Sequence, residues 1–161
     1  MDKITIRAAT IADSPGILEA HYSAVHTTAA ADYPPEVRNA WSTPVTPERI
    51  DQYLEHALSK QTTVVAELDG SIAGFGAIVG ADNELRAVYV AAAYGRRGVG
   101  SALLRELESI AKEQGCRELH LDSSLTAAPF YLHHGYEETG RGKHSLSSGA
   151  KMACVKMRKV F

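Results

Sequence analysis

The sequence predicts a mixed α/β domain of about seven strands, with helices covering the sheet. Three observations carry this. Two β-rich runs, Thr62–Leu68 and Ser71–Val79, flank an Asp69-Gly70 pair, the signature of a hairpin. The segment from Val99 to Gln114 puts Leu103, Leu104, Leu107, Ile110 and Ala111 in one stripe, as an amphipathic helix does. The elements then fall in the order strand, helices, three strands, helix, strand, helix, two strands.

Ile4-Thr5-Ile6-Arg7 alternates and opens the chain as a strand. Thr10 offers a capping oxygen, Asp13 a carboxylate three residues on, and Pro15 suits a first helical turn. Ile17, Leu18, His21, Tyr22 and Val25 then recur at helical spacing. Ala29–Pro35 breaks that helix. A short helix runs from Pro35 toward Trp41, and another from about Pro47 to Ser59 carries Ile50, Tyr53, Leu54, Ala57 and Leu58 on one side. After the hairpin, Leu85–Val90 is a strand. Ideal alternation puts Glu84, Arg86, Val88 and Val90 on one face and Leu85, Ala87 and Tyr89 on the other, unless a bulge shifts the phase. The helix from Val99 stops at Gly115. Arg117–Asp122 alternates, a short helix from Thr126 to His134 ends before Gly135, and two last strands lie near Tyr136–Thr139 and Ala150–Lys159. No repeat, low-complexity tract or linker interrupts the chain, so residues 1–161 are expected to form one domain.

Composition narrows the function classes. Hydrophobic residues make up 45% and charged residues 22%, ordinary for a globular chain. Seventeen Lys and Arg against nineteen Asp and Glu give a net charge of -2, with no general pull toward nucleic acid or a membrane surface. Apolar runs are too short to span a bilayer, and Met1-Asp2-Lys3 does not open a signal peptide. A cytoplasmic protein with two reduced thiols, Cys116 and Cys154, is the expectation, and no His or Cys spacing calls for a metal.

The segment Gly95-Arg96-Arg97-Gly98-Val99-Gly100-Ser101 joins a strand to a helix. Glycines allow positive φ and close approach of a ligand to the backbone. A helix N-terminus adds unpaired N–H donors and partial positive charge. Together these suit a phosphate or pyrophosphate, with Arg96 and Arg97 as mobile countercharge. The alternative reading of the segment alone is a glycine-bearing surface turn with two solvated arginines. It lacks the Gly-Lys-Ser/Thr of a P-loop, and it follows the fourth strand rather than the first of a dinucleotide-binding unit.

Val90–Leu104 resembles the acetyl-CoA motif of the GNAT superfamily of N-acetyltransferases, Arg/Gln-x-x-Gly-x-Gly/Ala. Gly98-Val99-Gly100 match it, while Gly95 stands where Arg or Gln is usual and Arg96 follows one place later. Arg7, Thr10, Asp13 and Ile17 resemble the family's opening. The spacing from Asp122 through Thr126 and Phe130-Tyr131 to Gly135-Tyr136 resembles its second motif, and Gly149, Met152, Met157 and Lys159 its last strand.

The resemblance implies a largely antiparallel sheet with helices on both faces, and acetyl-CoA as co-substrate without a metal. It implies transfer to a small-molecule or protein amine, and often a homodimer. It assigns cofactor binding to Val88, Tyr89 and Val90 on a splayed fourth strand, to Arg96, Arg97, Gly98, Val99, Gly100 and Ser101, and to Thr126. Tyr131 matches the tyrosine that serves the leaving thiolate, and a phenol is a suitable acid for that step. Glu84 lies six residues before Val90, where some members carry a general base; a carboxylate in an apolar cleft can be tuned for that task. His26, Tyr33 and Trp41 are candidates for the acceptor pocket, or equally for the core. An acyl-CoA sensor without turnover is the rival from another class, and a nucleotide-binding protein is the third.

Overall fold

The computed structural model describes residues 3–161; Met1 and Asp2, at which the N-terminal expectation begins, lie outside the described residues. Seven strands form one sheet: β1 (Thr5–Ala8), β2 (Thr62–Leu68), β3 (Ser71–Val79), β4 (Glu84–Val90), β5 (Glu118–Ser124), β6 (Glu137–Ser145) and β7 (Lys151–Val160). Their spatial order is β1-β2-β3-β4-β5-β7-β6. Every neighbouring pair is antiparallel except β4 and β5. The helices are α1 (Ser14–His26), α2 (Pro35–Trp41), α3 (Pro47–His56), α4 (Val99–Glu113) and α5 (Ala128–His133). None among the described residues is long and apolar enough to cross a membrane.

Each face of the sheet has its own core. On one, α4 buries Val99, Leu103, Leu104, Leu107 and Ala111 against β2, β3 and β4, joined by Tyr131 of α5. β3 makes this approach possible with two glycines. A Cβ at Gly74 would sit 2.6 Å from the Tyr89 carbonyl oxygen, and one at Gly76 would strike the Leu107 side chain. On the other face, Ile17 and Ala20 of α1 pack on Val65 and Phe75, with Tyr53 of α3 alongside. Truncating one of these buried leucines typically costs about 2–5 kcal/mol, because the lost transfer energy comes with a residual cavity.

Local chemistry sets the boundaries. Asp69 and Gly70 both take positive φ, 55° and 76°, as a two-residue hairpin turn of right-handed strands requires. Helix α4 starts after Gly98 at φ 84° and ends at Gly115 at φ 88°. There Gly115 N–H donates to the Lys112 carbonyl and Cys116 N–H to that of Ala111, closing the last turn. Thr10 and Asp13 form their capping box around a 3-10 turn, so α1 begins at Ser14. The Arg7 guanidinium reaches both Asp13, at 2.8 Å, and Glu67, at 2.6 Å.

Two differences from the sequence reading matter. Strand β6 runs to Ser145 rather than Thr139, pairing with β7 throughout. Its exposed, polar, glycine-bearing sequence carries no alternation, and the β7 register supplies what propensity does not. The second difference is the bulge. Ala87 lies opposite Ala77 but Leu85 lies opposite Ile78, so Arg86 is the extra residue. Leu85 therefore joins Val88 and Val90 in the α4 core, while Ala87 and Tyr89 pack on the α1 side. Glu84, one residue before Leu85, faces the α1 side with Tyr89.

Candidate active site

β4 and β5 are joined at a single register pair, Glu84 with His120, where His120 N–H donates to the Asn83 carbonyl. Beyond it the parallel strands part. Their free backbone edges and inward side chains wall two cavities that share Trp41, Leu85, Arg86, Tyr89, Leu121, Asp122 and Ser124.

The first cavity, about 250 Å³, lies toward α4 and α5. Val88, Tyr89 and Val90 line it from β4, Gly100 from α4, and Thr126, Phe130 and Tyr131 from the α5 side. Gly100 gives it its neck: a Cβ there would come 3.2 Å from the Phe130 ring and 3.6 Å from Val90, both wall residues. The first intrahelical bond of α4 joins Ala102 N–H to the Gly98 carbonyl, so the N–H groups of Val99, Gly100 and Ser101 belong to the unpaired first turn. Val99 itself is a core residue, and the Ser101 hydroxyl pairs with His134 Nε2 at 3.0 Å. Arg96 is exposed in the left-handed region at φ 64°. Arg97 pairs with Asp69 at 3.5 Å and stands over the Tyr94 ring. The Thr126 hydroxyl donates to Asp32 at 2.7 Å, tying the loop before α5 to the segment before α2.

Tyr131 is 4% exposed and still lines this cavity. Burial raises its phenol above the ordinary range, and nearby Tyr89 raises it further, so the proton stays on the oxygen. Tyr89 is itself pushed up to about 12 by burial, partly offset by a hydrogen bond from Trp41.

The second cavity, about 360 Å³, is more polar than the first, though Trp41, Leu85, Leu121 and Met152 also line it. Glu84 and Arg86 line it from β4, His120 and Asp122 from β5, His144 from β6 and Cys154 from β7. Both Glu84 oxygens accept from Arg86, at 3.3 and 3.0 Å. Burial pushes the Cys154 thiol up, and the Asp122 charge adds to this.

Of the residues assigned to the acceptor, Trp41 alone lines these cavities. Tyr33 is 5% exposed; its hydroxyl donates to the Ala153 carbonyl at 2.6 Å and accepts from Leu125 N–H at 2.8 Å. His26 Nε2 contacts the Ser42 carbonyl at 2.7 Å, with its ring against Tyr22. Both brace the wall behind Trp41. His21, near them, packs edge-on to Tyr89 and is brought down to about 3 by burial, then by Arg49, so it is neutral. Sequence reasoning missed His120 and the pairing of His144 with Asp122. The first had a signal, since His120 and Asp122 alternate outward from Leu119 and Leu121. The second had none, because residue 144 fell in what read as a loop.

Known proteins share this fold. Residues 29–161 match the family described as an acetyltransferase (GNAT) domain. A protein of Escherichia coli (strain K12) named as an uncharacterized N-acetyltransferase, YafP, is 32% identical over 138 residues, 85% of this chain and 83% of that protein. A crystal structure described as a GCN5-related N-acetyltransferase, aminotransferase class-II, from Rhodopseudomonas palustris is 28% identical. It matches with TM-score 0.89 over 100% of this chain and 98% of its own. YncA from Salmonella typhimurium, solved with its cofactor acetyl-CoA, is 26% identical, with TM-score 0.68 over 98% of this chain and 93% of its own. The chain belongs to the GNAT family and is an acyl-CoA-dependent acetyltransferase.

Proposed function

We propose that the chain moves an acetyl group from acetyl-CoA to a primary amine by direct transfer in one ternary complex, with residues 1–161 as a single catalytic unit. The observation that carries this is the meeting of two unlike cavities where β4 and β5 part. An acyl donor held in one and an amine held in the other come together at the shared wall. Proximity of that kind replaces a bimolecular encounter. No covalent relay is needed, and the buried Cys154, its thiol pushed up, is poorly suited to be one.

The roles follow from placement. First-turn N–H groups from Val99 to Ser101, with the α4 dipole, receive the pyrophosphate, and Arg96 and Arg97 supply countercharge. The room left by Gly100 fits such a ligand, since a side chain there would narrow the neck. Backbone groups of Val88, Tyr89 and Val90 run beside the pantetheine arm, and Thr126 closes the opposite wall. Tyr131 gives its proton to the departing sulfur. Glu84 and the Trp41 ring receive the ammonium of the acceptor, a small molecule or a protein side chain in the cytoplasm.

A related structure that carries acetyl-CoA supports the choice of donor. Thiol release from acetyl-CoA, measured across alkylamines, amino acids, aminoglycosides and lysine peptides, tests the reading. Amine-dependent release is expected. Stabilisation by acetyl-CoA with no release for any amine would favour a sensor, and stabilisation by ATP or NAD alone would overturn the donor assignment.

A further inference from the structure

We infer that His144 takes the proton from the acceptor amine and that Asp122 positions it for that step. The inference rests on the acetyl-transfer reading and moves the base expected at Glu84 to a different strand. His144 Nδ1 lies 3.1 Å from Asp122 Oδ2, and Lys156 Nζ holds the other oxygen of the same carboxylate at 3.0 Å. An imidazole whose Nδ1–H donates to a carboxylate presents Nε2 as a lone-pair acceptor. Among the described residues no hydrogen bond engages that Nε2. Burial works against the Asp122 carboxylate, but its bonds to His144 and Lys156 outweigh this and keep the group charged.

Placement favours this pair over Glu84. Asp122 lines both cavities, as Arg86 does, and the imidazole it holds lines the second cavity with its Nε2 unengaged. Glu84 has both oxygens engaged by Arg86 and stands at the closed end of the splay, where β4 and β5 are still paired. The titratable and charged groups that share the second cavity with the imidazole are Glu84 and Arg86 of β4, His120 and Asp122 of β5, and Cys154 of β7, with Lys156 of β7 on the far oxygen of Asp122. Half of the His144 side chain remains exposed, which gives the proton an exit to water.

The step balances. The acceptor arrives as an ammonium and loses one proton to Nε2, which passes it to solvent. The freed nitrogen pair forms the C–N bond as the C–S bond breaks. The sulfur leaves with the Tyr131 proton, and the second proton shed by the nitrogen restores that phenol. The products are an amide, free CoA and one proton in solution.

The test uses the intact protein with acetyl-CoA and whichever amines of the panel support release. His144→Ala and Asp122→Asn are both expected to lower kcat/KM by about 10²-fold or more, the usual worth of a positioned base. Each should keep the thermal shift given by acetyl-CoA, which reports folding and donor binding independently of activity. Added imidazole should restore turnover to His144→Ala and not to Asp122→Asn. The acid limb of the wild-type kcat/KM profile should hold its place across amines of different basicity and vanish in His144→Ala. A wild-type profile in that variant, a limb that tracks each amine, or failure of imidazole rescue would overturn the assignment while leaving acetyl transfer intact. Absence of release from the wild type with every amine would overturn the transfer reading itself, and this inference with it.

Discussion

The two cavities meet at Trp41, Tyr89 and Asp122, yet they are built on different principles. The α4 side is made of backbone and packing: strand-edge groups of β4, the first turn of α4, a glycine neck, and one phenol whose proton is held on by burial. The β6 side draws side chains from four strands, with the Glu84–Arg86 and His144–Asp122 pairs set among apolar residues such as Leu121 and Met152. A donor that never changes can be gripped by fixed backbone dipoles, which cost no reorganisation. Acceptor choice needs side chains, since these can vary without disturbing the fold. The difference also says where each kind of mutation should act: on the α4 side through geometry and the leaving group, on the β6 side through charge.

The largest expected effect is on the α4 side. Tyr131→Phe removes one hydroxyl and keeps the ring against Phe130 and Tyr136. Loss of an acid at the leaving group should lower kcat by about 10²–10⁴-fold with acetyl-CoA affinity nearly unchanged. Wild-type kcat, under conditions where chemistry limits the rate, would reduce Tyr131 to packing.

Gly100→Val comes next and should act on binding. Its branched side chain meets Phe130 and Val90 at the neck. Overpacking of this kind costs about 1–3 kcal/mol, so acetyl-CoA affinity should fall by roughly 5- to 150-fold. Calorimetry gives the affinity, and far-UV circular dichroism checks that α4 still forms. Undiminished affinity would mean that the donor does not pass Gly100.

The α4 side was also the more legible in the sequence, and for a physical reason. Positive φ at Asp69, Gly70, Gly98 and Gly115 demands particular residues, so turns and helix ends leave marks in the chain. The apolar stripe of α4 likewise states its own burial. A register shift leaves no such mark. Only the pairing of Ala77 with Ala87 and of Ile78 with Leu85 reveals that Arg86 is extra, which leaves Glu84 in the wall of the second cavity. The same holds for β6, whose extension brings His144 to Asp122 across β7. Long-range pairing decided both, and neither residue type announced it.

On the β6 side, Glu84→Gln sharpens the division of labour between anchoring and proton transfer. The change keeps the shape and removes the charge that would receive an ammonium. A rise in KM for the amine of about fivefold or less is expected, with kcat and the acid limb kept, since one partly exposed charge pair contributes roughly 1 kcal/mol or less. Loss of the acid limb in this variant, with its retention in His144→Ala, would return the base to Glu84.

The smallest effect on catalysis is expected at Tyr33, and it separates wall from site. Its hydroxyl bridges the Ala153 carbonyl on β7 and the Leu125 amide before α5. Tyr33→Phe keeps the ring against Trp41 but strands one buried acceptor and one buried donor. Leaving such groups unsatisfied costs about 1–3 kcal/mol each, so urea unfolding should show a clear loss of stability. Transfer rates, measured well below the new melting temperature, should change by no more than a few-fold, because the hydroxyl faces backbone rather than the cavity. Unchanged stability with a raised KM for the amine would instead make Tyr33 a substrate contact. The amine cavity would then extend behind Trp41, and its contrast with the backbone-built donor side would have to be redrawn.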